Sequence, residues 1–301
     1  MKKIIKKYSF LIGLFVFFWI IKDVEFAQLK EALFTINPFL YMIAAFIYIP
    51  MMFLKAYRWK KIMDAQEIRY SFENTFLMYG ASYLFGLITP GKIGEFSRMA
   101  YLKKDNHPMG KVLFGNLLDK LSDLFFVILF IAFAALFIPR LPDFTFKYSQ
   151  LLKWAGGGLL LAVVIFGFIY IKNKDKLYNF FSEIFTEIKR LKIYNLLFVF
   201  VITAVIWFLF FILIYFIGVS IGITKTAGFF YLSFTAAVSN LISLLPISVL
   251  GVGTREAVFI FLLAPLGIPT ELIILFSLLV LVNYLSMFFI CLACWLKKPV
   301  I

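Results

Sequence analysis

The sequence predicts an all-α fold: a polytopic helical membrane protein with two inverted repeats, each carrying a re-entrant hairpin broken by Pro and Gly. Three observations lead there. Of the 301 residues, 63% are hydrophobic, against about 45–50% in soluble domains. The Lys and Arg behind the net charge of +14 gather in five blocks beside apolar runs: Lys2–Lys7, Lys55–Arg69, Lys92–Lys111, Lys172–Lys192 and Lys297–Lys298. That is the positive-inside pattern of cytoplasmic loops, and it argues against nucleic acid as the partner. Finally, Pro, Gly and opposite charges interrupt two apolar stretches, LFGLITPGKIGEFSR from Leu84 to Arg98 and LISLLPISVLGVGTREA from Leu241 to Ala257. Irregular backbone and charge at membrane depth are tolerated only against protein or a watery cavity.

Taken in order, MKKIIKK precedes an apolar run from Tyr8 to Ile21 with no small-residue cleavage site before KDVEF. A retained first span with a cytoplasmic N-terminus is expected. Spans of about 20 residues are expected at Ile4–Ile21, Pro38–Leu54, Val112–Ile138, Leu151–Ile171, Tyr194–Gly218 and Thr270–Leu296. Phe72–Thr89 is apolar, Pro90 breaks it, and Lys92–Lys104 is too short and charged to span; basic flanks make this pair a hairpin dipping from the cytoplasm. Its counterpart is Ala227–Leu245, a break from Pro246 to Gly253, and Thr254–Leu266, with both ends outside by parity. The second arm there is more apolar, so two full spans stay open as the alternative.

One membrane domain is expected over 1–301, the first repeat at about 38–138 and the second at about 194–296. Both termini face the cytoplasm of a cell (plasma) membrane. Between the repeats, Leu177, Phe180, Phe181, Ile184, Phe185, Ile188 and Leu191 fall at helical spacing. They predict an amphipathic helix over about 175–192, lying on the inner surface.

Candidate functional residues cluster at the breaks. Pro90 lacks a backbone donor, while Gly91 and Gly94 permit the turn. A helix restarting near Lys92 would aim free amides at the break. Glu95 and Arg98, three apart, share a helix face and can pair with each other, or at least one of them contacts a headgroup. In the second break Pro246, Gly251 and Gly253 permit unwinding. Arg255 and Glu256 point about 100° apart on a helix of 3.6 residues per turn, so each is expected to find a partner elsewhere. Asp119 and Asp123 in LLDKLSD share a face. The 15 residues from Leu124 to Ile138 make roughly 22 Å of helix, short of a core of about 30 Å. Those carboxylates therefore sit inside the membrane, facing protein or water. Arg58 and Trp59 in AYRWKK read first as interface anchors, with Arg58 also a candidate for the site. Cys291 and Cys294 read as packing residues and His107 as a loop residue. No catalytic residue, metal or cofactor is expected.

YRW at Tyr57–Trp59, PGKIGEFSR at Pro90–Arg98, LLDKLSD at Asp119 and GVGTREA at Gly251–Ala257 resemble the flippase-like membrane region of lysylphosphatidylglycerol synthases and its stand-alone relatives. The resemblance covers nearly the whole chain and rests on the order and spacing of the motifs. Two departures stand out: Asp119-Lys120 where relatives often show Glu-Arg, and Ile247-Ser248 where they more often have a Pro-Gly-Gly run. The resemblance implies the lipid-translocating half, since the soluble aminoacyl transferase domain of multidomain relatives is not within this sequence. The expected function is movement of a phospholipid or lipid-linked headgroup, anionic or aminoacylated, between leaflets. Lys92, Arg98 and Arg255 would attract phosphate, with Glu95, Glu256, Asp119 and Asp123 holding those cations. The alternatives are a lipid-modifying aminoacyl or glycosyl transferase, or a membrane subunit supporting a separate cytoplasmic enzyme. A homo-oligomer is a further candidate arrangement.

Overall fold

In the computed structural model the described residues are 26–136, 191–245 and 248–299, with isolated positions near 15–22, at 138 and at 186–189. Every regular element among them is helical. The expected span at Leu151–Ile171, most of that at Ile4–Ile21, most of the amphipathic helix, and Pro246 itself lie outside the described residues.

A short helix α1 (Phe26–Phe34) leads into α2 (Pro38–Ala65). Asn37 starts α2: its side chain accepts from the amides of Phe39 and Leu40 at 3.1 and 3.2 Å, and Pro38 occupies the first turn. There Pro's missing donor costs nothing. α2 runs past Leu54, where the sequence placed the end of the span, through Lys55, Arg58, Lys60 and Lys61. Charge was read there as the membrane boundary. The helix continues because Arg58 is neutralised inside the protein.

Ser71 caps α3 (Phe72–Ile88), which ends before Thr89 and Pro90. The chain then turns back along α3 through a 3-10 segment, Pro90–Ser97, into α4 (Arg98–Lys104). The expected helix start at Lys92 is absent: Gly91 and Lys92 are both left-handed, with φ of 62° and 56°. The Thr89 hydroxyl donates to the Phe85 carbonyl and accepts from the Gly94 amide, both at 2.7 Å. That hydroxyl replaces the backbone bonds that Pro90 interrupts.

α5 (Met109–Ala135) and α6 (Ile193–Ser220) follow. The Asn37 amide donates to the Ser220 carbonyl at 2.8 Å, joining the start of α2 to the end of α6, so these two packed helices run antiparallel. α7 (Phe229–Ile242) and α8 (Thr254–Leu263) flank the second break, and α9 (Thr270–Lys297) closes the chain. With 14 and 10 residues, α7 and α8 fall short of the roughly 20 that a helical span requires. The Tyr231 hydroxyl donates to the Leu262 carbonyl at 2.7 Å, bringing the start of α7 to the end of α8.

The first helix-break-helix pair enters and leaves at the end of the bundle where Tyr70 bonds Asp105 and His107. The second enters and leaves beyond Ser220, at the opposite end. α9 packs along α3, close enough that a β-carbon on Gly80 would stand 2.7 Å from the Cys294 sulfur. Both Cys291 and Cys294 are buried thiols in that seam. The interior includes Trp59, Ile206, Ile214 and Phe276, while Phe39, Phe46, Phe125, Phe133, Phe208 and Phe289 face outward. Among the described residues three helices, α2, α6 and α9, are long and apolar enough to cross a membrane. An apolar exterior around a charged interior is the arrangement a bilayer demands.

Candidate functional site

Arg58 is the hub of the buried charge. It has no solvent exposure and is not an interface anchor, nor is Trp59 beside it. Its Nε donates to Asp119 Oδ1 at 2.9 Å, and Nη1 and Nη2 grip the two oxygens of Asp123 at 2.8 and 2.9 Å. Nη1 also donates to the Thr203 hydroxyl at 2.7 Å, and Nη2 to the Asp119 carbonyl at 3.3 Å. All five guanidinium donors are thus committed. The shared face predicted for Asp119 and Asp123 is real, and α2 supplies its counter-charge.

Arg98 reaches the same cluster from α4, Nη2 donating to Asp119 Oδ2 at 2.7 Å. Its guanidinium lies 5.1 Å from the Trp59 ring and 4.9 Å from the Tyr79 ring, and its Nε and Nη1 have no partner. The Glu95–Arg98 pair that their spacing allows does not form. Glu95 pairs with Lys120 instead. The cause is α5: its adjacent Asp119 and Lys120 present both signs to the returning segment, and each selects the opposite charge there.

The second break corrects another expectation. Arg255 and Glu256 do pair, at 3.0 Å, because Glu256 bends back toward the start of α8. Its Oε2 accepts from the Gly253 amide at 2.6 Å. The Ser277 hydroxyl, on α9, ties the two together: it accepts from Arg255 Nε at 2.7 Å and donates to Glu256 Oε1 at 2.5 Å. Leu250, Gly251 and Gly253 have positive φ, the backbone irregularity the glycines were expected to permit. At each break one amide is taken by a side chain of the chain itself, Gly94 by Thr89 and Gly253 by Glu256.

The breaks meet at two adjoining cavities. The larger, of about 190 Å³, is lined by Lys55, Lys92, Glu95, Lys120 and Asp123, by Tyr48, Tyr79, Tyr83, Trp207, Phe210 and Tyr284, and by apolar residues of α2, α5 and α6. The smaller shares Tyr83, Lys92, Glu95, Phe210, Asn240 and Tyr284 and extends to Leu250 and Arg255. The first break thereby faces the second across a common wall. Arg98 lines neither; it lies behind the wall with Asp119.

Matching the charges one by one leaves a remainder. Asp119 and Asp123 match Arg58 and Arg98, Glu95 matches Lys120, and Glu256 matches Arg255. Lys55 and Lys92 have no carboxylate within 4.0 Å among the described residues. Their ammonium groups lie 5.6 Å from the Tyr83 ring and 5.9 Å from the Tyr284 ring. Contacts of that kind contribute about 0.5–2 kcal/mol, while removing an ion from water costs several kcal/mol. Both lysines are partly buried at the cavity wall, and the rings alone do not offset the cost of taking them from water.

Sequence reasoning placed Lys55 only in a topological block and passed over Thr203, Ser277 and the tyrosines. A small hydroxyl in the middle of the apolar runs of α6 and α9 is the signal that could have pointed to Thr203 and Ser277.

An all-helical membrane-embedded chain, with broken helices and paired charges around an internal cavity, defines the class: a polytopic protein whose polar interior is held inside an apolar shell. The sequence model described as "Lysylphosphatidylglycerol synthase TM region" matches residues 8–292, and the chain belongs to that family. No curated protein sequence matches it.

Proposed function

We propose that this protein carries a phospholipid or lipid-linked headgroup, anionic or aminoacylated, between the leaflets of the cell membrane. Both termini face the cytoplasm in this reading. The two helix-break-helix pairs are re-entrant hairpins of inverted repeats, the first dipping from the cytoplasm and the second from outside. The observation that supports the proposal is that the two breaks line a pair of adjoining cavities with charged and aromatic walls. A headgroup crosses through such a polar interior while its acyl chains stay in lipid, and broken helices meeting near a midplane are the recurrent way to build one. Arg58, Arg98, Asp119 and Asp123 brace the cavity wall, Arg255 and Glu256 hold the second break, and Lys92 and Glu95 face the path.

The test is reconstitution. Purified protein in liposomes, with no tRNA or nucleotide present, should move a fluorescent lipid from the inner to the outer leaflet, read by loss of signal to a membrane-impermeant quencher. Protein-free liposomes set the background. Formation of a new lipid species on addition of an aminoacyl-tRNA would instead assign the chain to synthesis.

A further inference from the structure

We propose that the cavity takes the headgroup of an anionic lipid by its phosphate, held between Lys55 and Lys92, and discriminates against a lysylated, net-cationic headgroup. This rests on the reading of the cavity as the headgroup path.

The argument is one of charge pairing. Among the described residues, every buried carboxylate around the cavity already has its cation. Glu95 is held by Lys120, and Asp123 is gripped through both oxygens by Arg58. An incoming lysyl group would bring ammonium charge into a space that offers it no free carboxylate and two unmatched lysines. Like charges in a poorly screened site disfavour one another. A phosphate, by contrast, supplies the charge the cavity lacks.

The walls fit that ligand. Lys55 on α2 and Lys92 in the first break are linked by a run of aromatic rings. Lys55 lies over Tyr83, whose hydroxyl is 2.5 Å from that of Tyr48; the Tyr48 ring meets the Tyr284 ring edge-on at 5.9 Å; and Lys92 lies over Tyr284. Each ammonium has three donors, and in the Tyr48–Tyr83 pair one hydroxyl hydrogen is left over for an acceptor. Lys92 also keeps a left-handed backbone, φ 56°. That conformation is unfavourable for any residue but glycine and is found at sites where a side chain is held for use. Away from the lysines the wall turns apolar at Met51, Leu124, Val127, Ile206 and Leu244, which suits the glycerol and upper acyl chain of a lipid and offers nothing to free phosphate.

The experiment measures binding of short-chain phosphatidylglycerol, its lysylated form and inorganic phosphate to the detergent-solubilised full chain by titration calorimetry. Translocation of the long-chain lipids is followed in parallel in liposomes. Phosphatidylglycerol should bind at least about tenfold tighter than its lysylated form, the scale of one lost charge-assisted contact. Lys55→Gln and Lys92→Gln should each weaken it about tenfold, Lys55→Arg much less, and Lys60→Gln, whose lysine pairs with Asp64 outside the cavity, not at all. Equal or tighter binding of the lysylated lipid overturns the proposal and needs no variant to show it. So does unchanged affinity in both Gln variants. Inorganic phosphate binding as tightly as the lipid would make this a free-phosphate site and overturn the lipid assignment. If the binding order holds and no lipid crosses, the translocation reading fails and the anion site stands. If the lysylated lipid crosses in preference, translocation stands and the anionic assignment fails.

Discussion

Arg58 is the residue on which the buried charge network turns, and its behaviour on mutation follows from pairing. Arg58→Met leaves Asp119 and Asp123 short of a cation in a region that excludes water. Removing one member of a buried pair costs about 3–5 kcal/mol, so the variant should unfold at a clearly lower temperature in detergent, followed by thermal denaturation. Arg58→Lys should not restore it, because one ammonium cannot replace a fork gripping two carboxylates and the Thr203 hydroxyl. Lys92 should show the opposite trade. Lys92→Gly relieves a left-handed conformation that costs a non-glycine residue about 1–2 kcal/mol, and it removes an unmatched charge. The variant should melt higher while moving less lipid; a lower melting temperature would contradict the strain. At this scale the sequence was partly legible. The spacing of Asp119 and Asp123 announced their common face, and Glu95, Arg98, Arg255 and Glu256 announced themselves by charge in an apolar context. The pairing of Asp119 with a hairpin cation, Arg98, was legible; the remaining pairs were not, because Arg58, Lys120 and Ser277 reach their partners from other helices, and no local spacing encodes that choice.

Among the elements, the breaks owe their shape to close backbone approach as much as to Pro. A β-carbon on Gly94 would stand 2.1 Å from the Phe85 carbonyl oxygen, and one on Gly86 would stand 2.3 Å from Glu95 Cγ. Gly94→Leu should therefore separate the Pro90–Ser97 segment from α3 and abolish transport in a protein that still inserts. Leu129→Ile, at a half-exposed position on α5, should be nearly silent. Transport assays on membranes with matched protein levels check both. On the second break, Ser277→Ala removes a hydroxyl that joins Arg255 to Glu256. It should cost about 1.5–3 kcal/mol, the scale of hydrogen bonds to charged groups, read as a lower melting temperature. The order of the long helices was legible from apolar runs and Pro positions, while the short α1 was not foreseen. The extent of α2 was not: Lys55, Arg58, Lys60 and Lys61 read as a boundary, and only the internal partners of Arg58 let the helix run on to Ala65.

Considered whole, the chain balances an apolar exterior against a nearly charge-neutral interior, and the imbalance at Lys55 and Lys92 marks the cavity. The two helix-break-helix pairs open toward opposite ends of the bundle, and the proposed topology puts those ends on opposite sides of the membrane. A cysteine at Asn106 should accordingly react with an impermeant thiol reagent only from the cytoplasmic side, and one at Lys225 only from outside, in a background lacking Cys291 and Cys294. Labelling of both from one side would remove the opposed hairpins. The central claim, that the cavity passes a lipid headgroup, is tested most directly by leaflet exchange in liposomes holding the purified protein and no donor substrate. Lipid should reach the opposite leaflet well above the protein-free rate with the native chain and at that background rate with Gly94→Leu. Exchange no faster than protein-free liposomes with the native chain, or undiminished exchange with Gly94→Leu, would contradict the account.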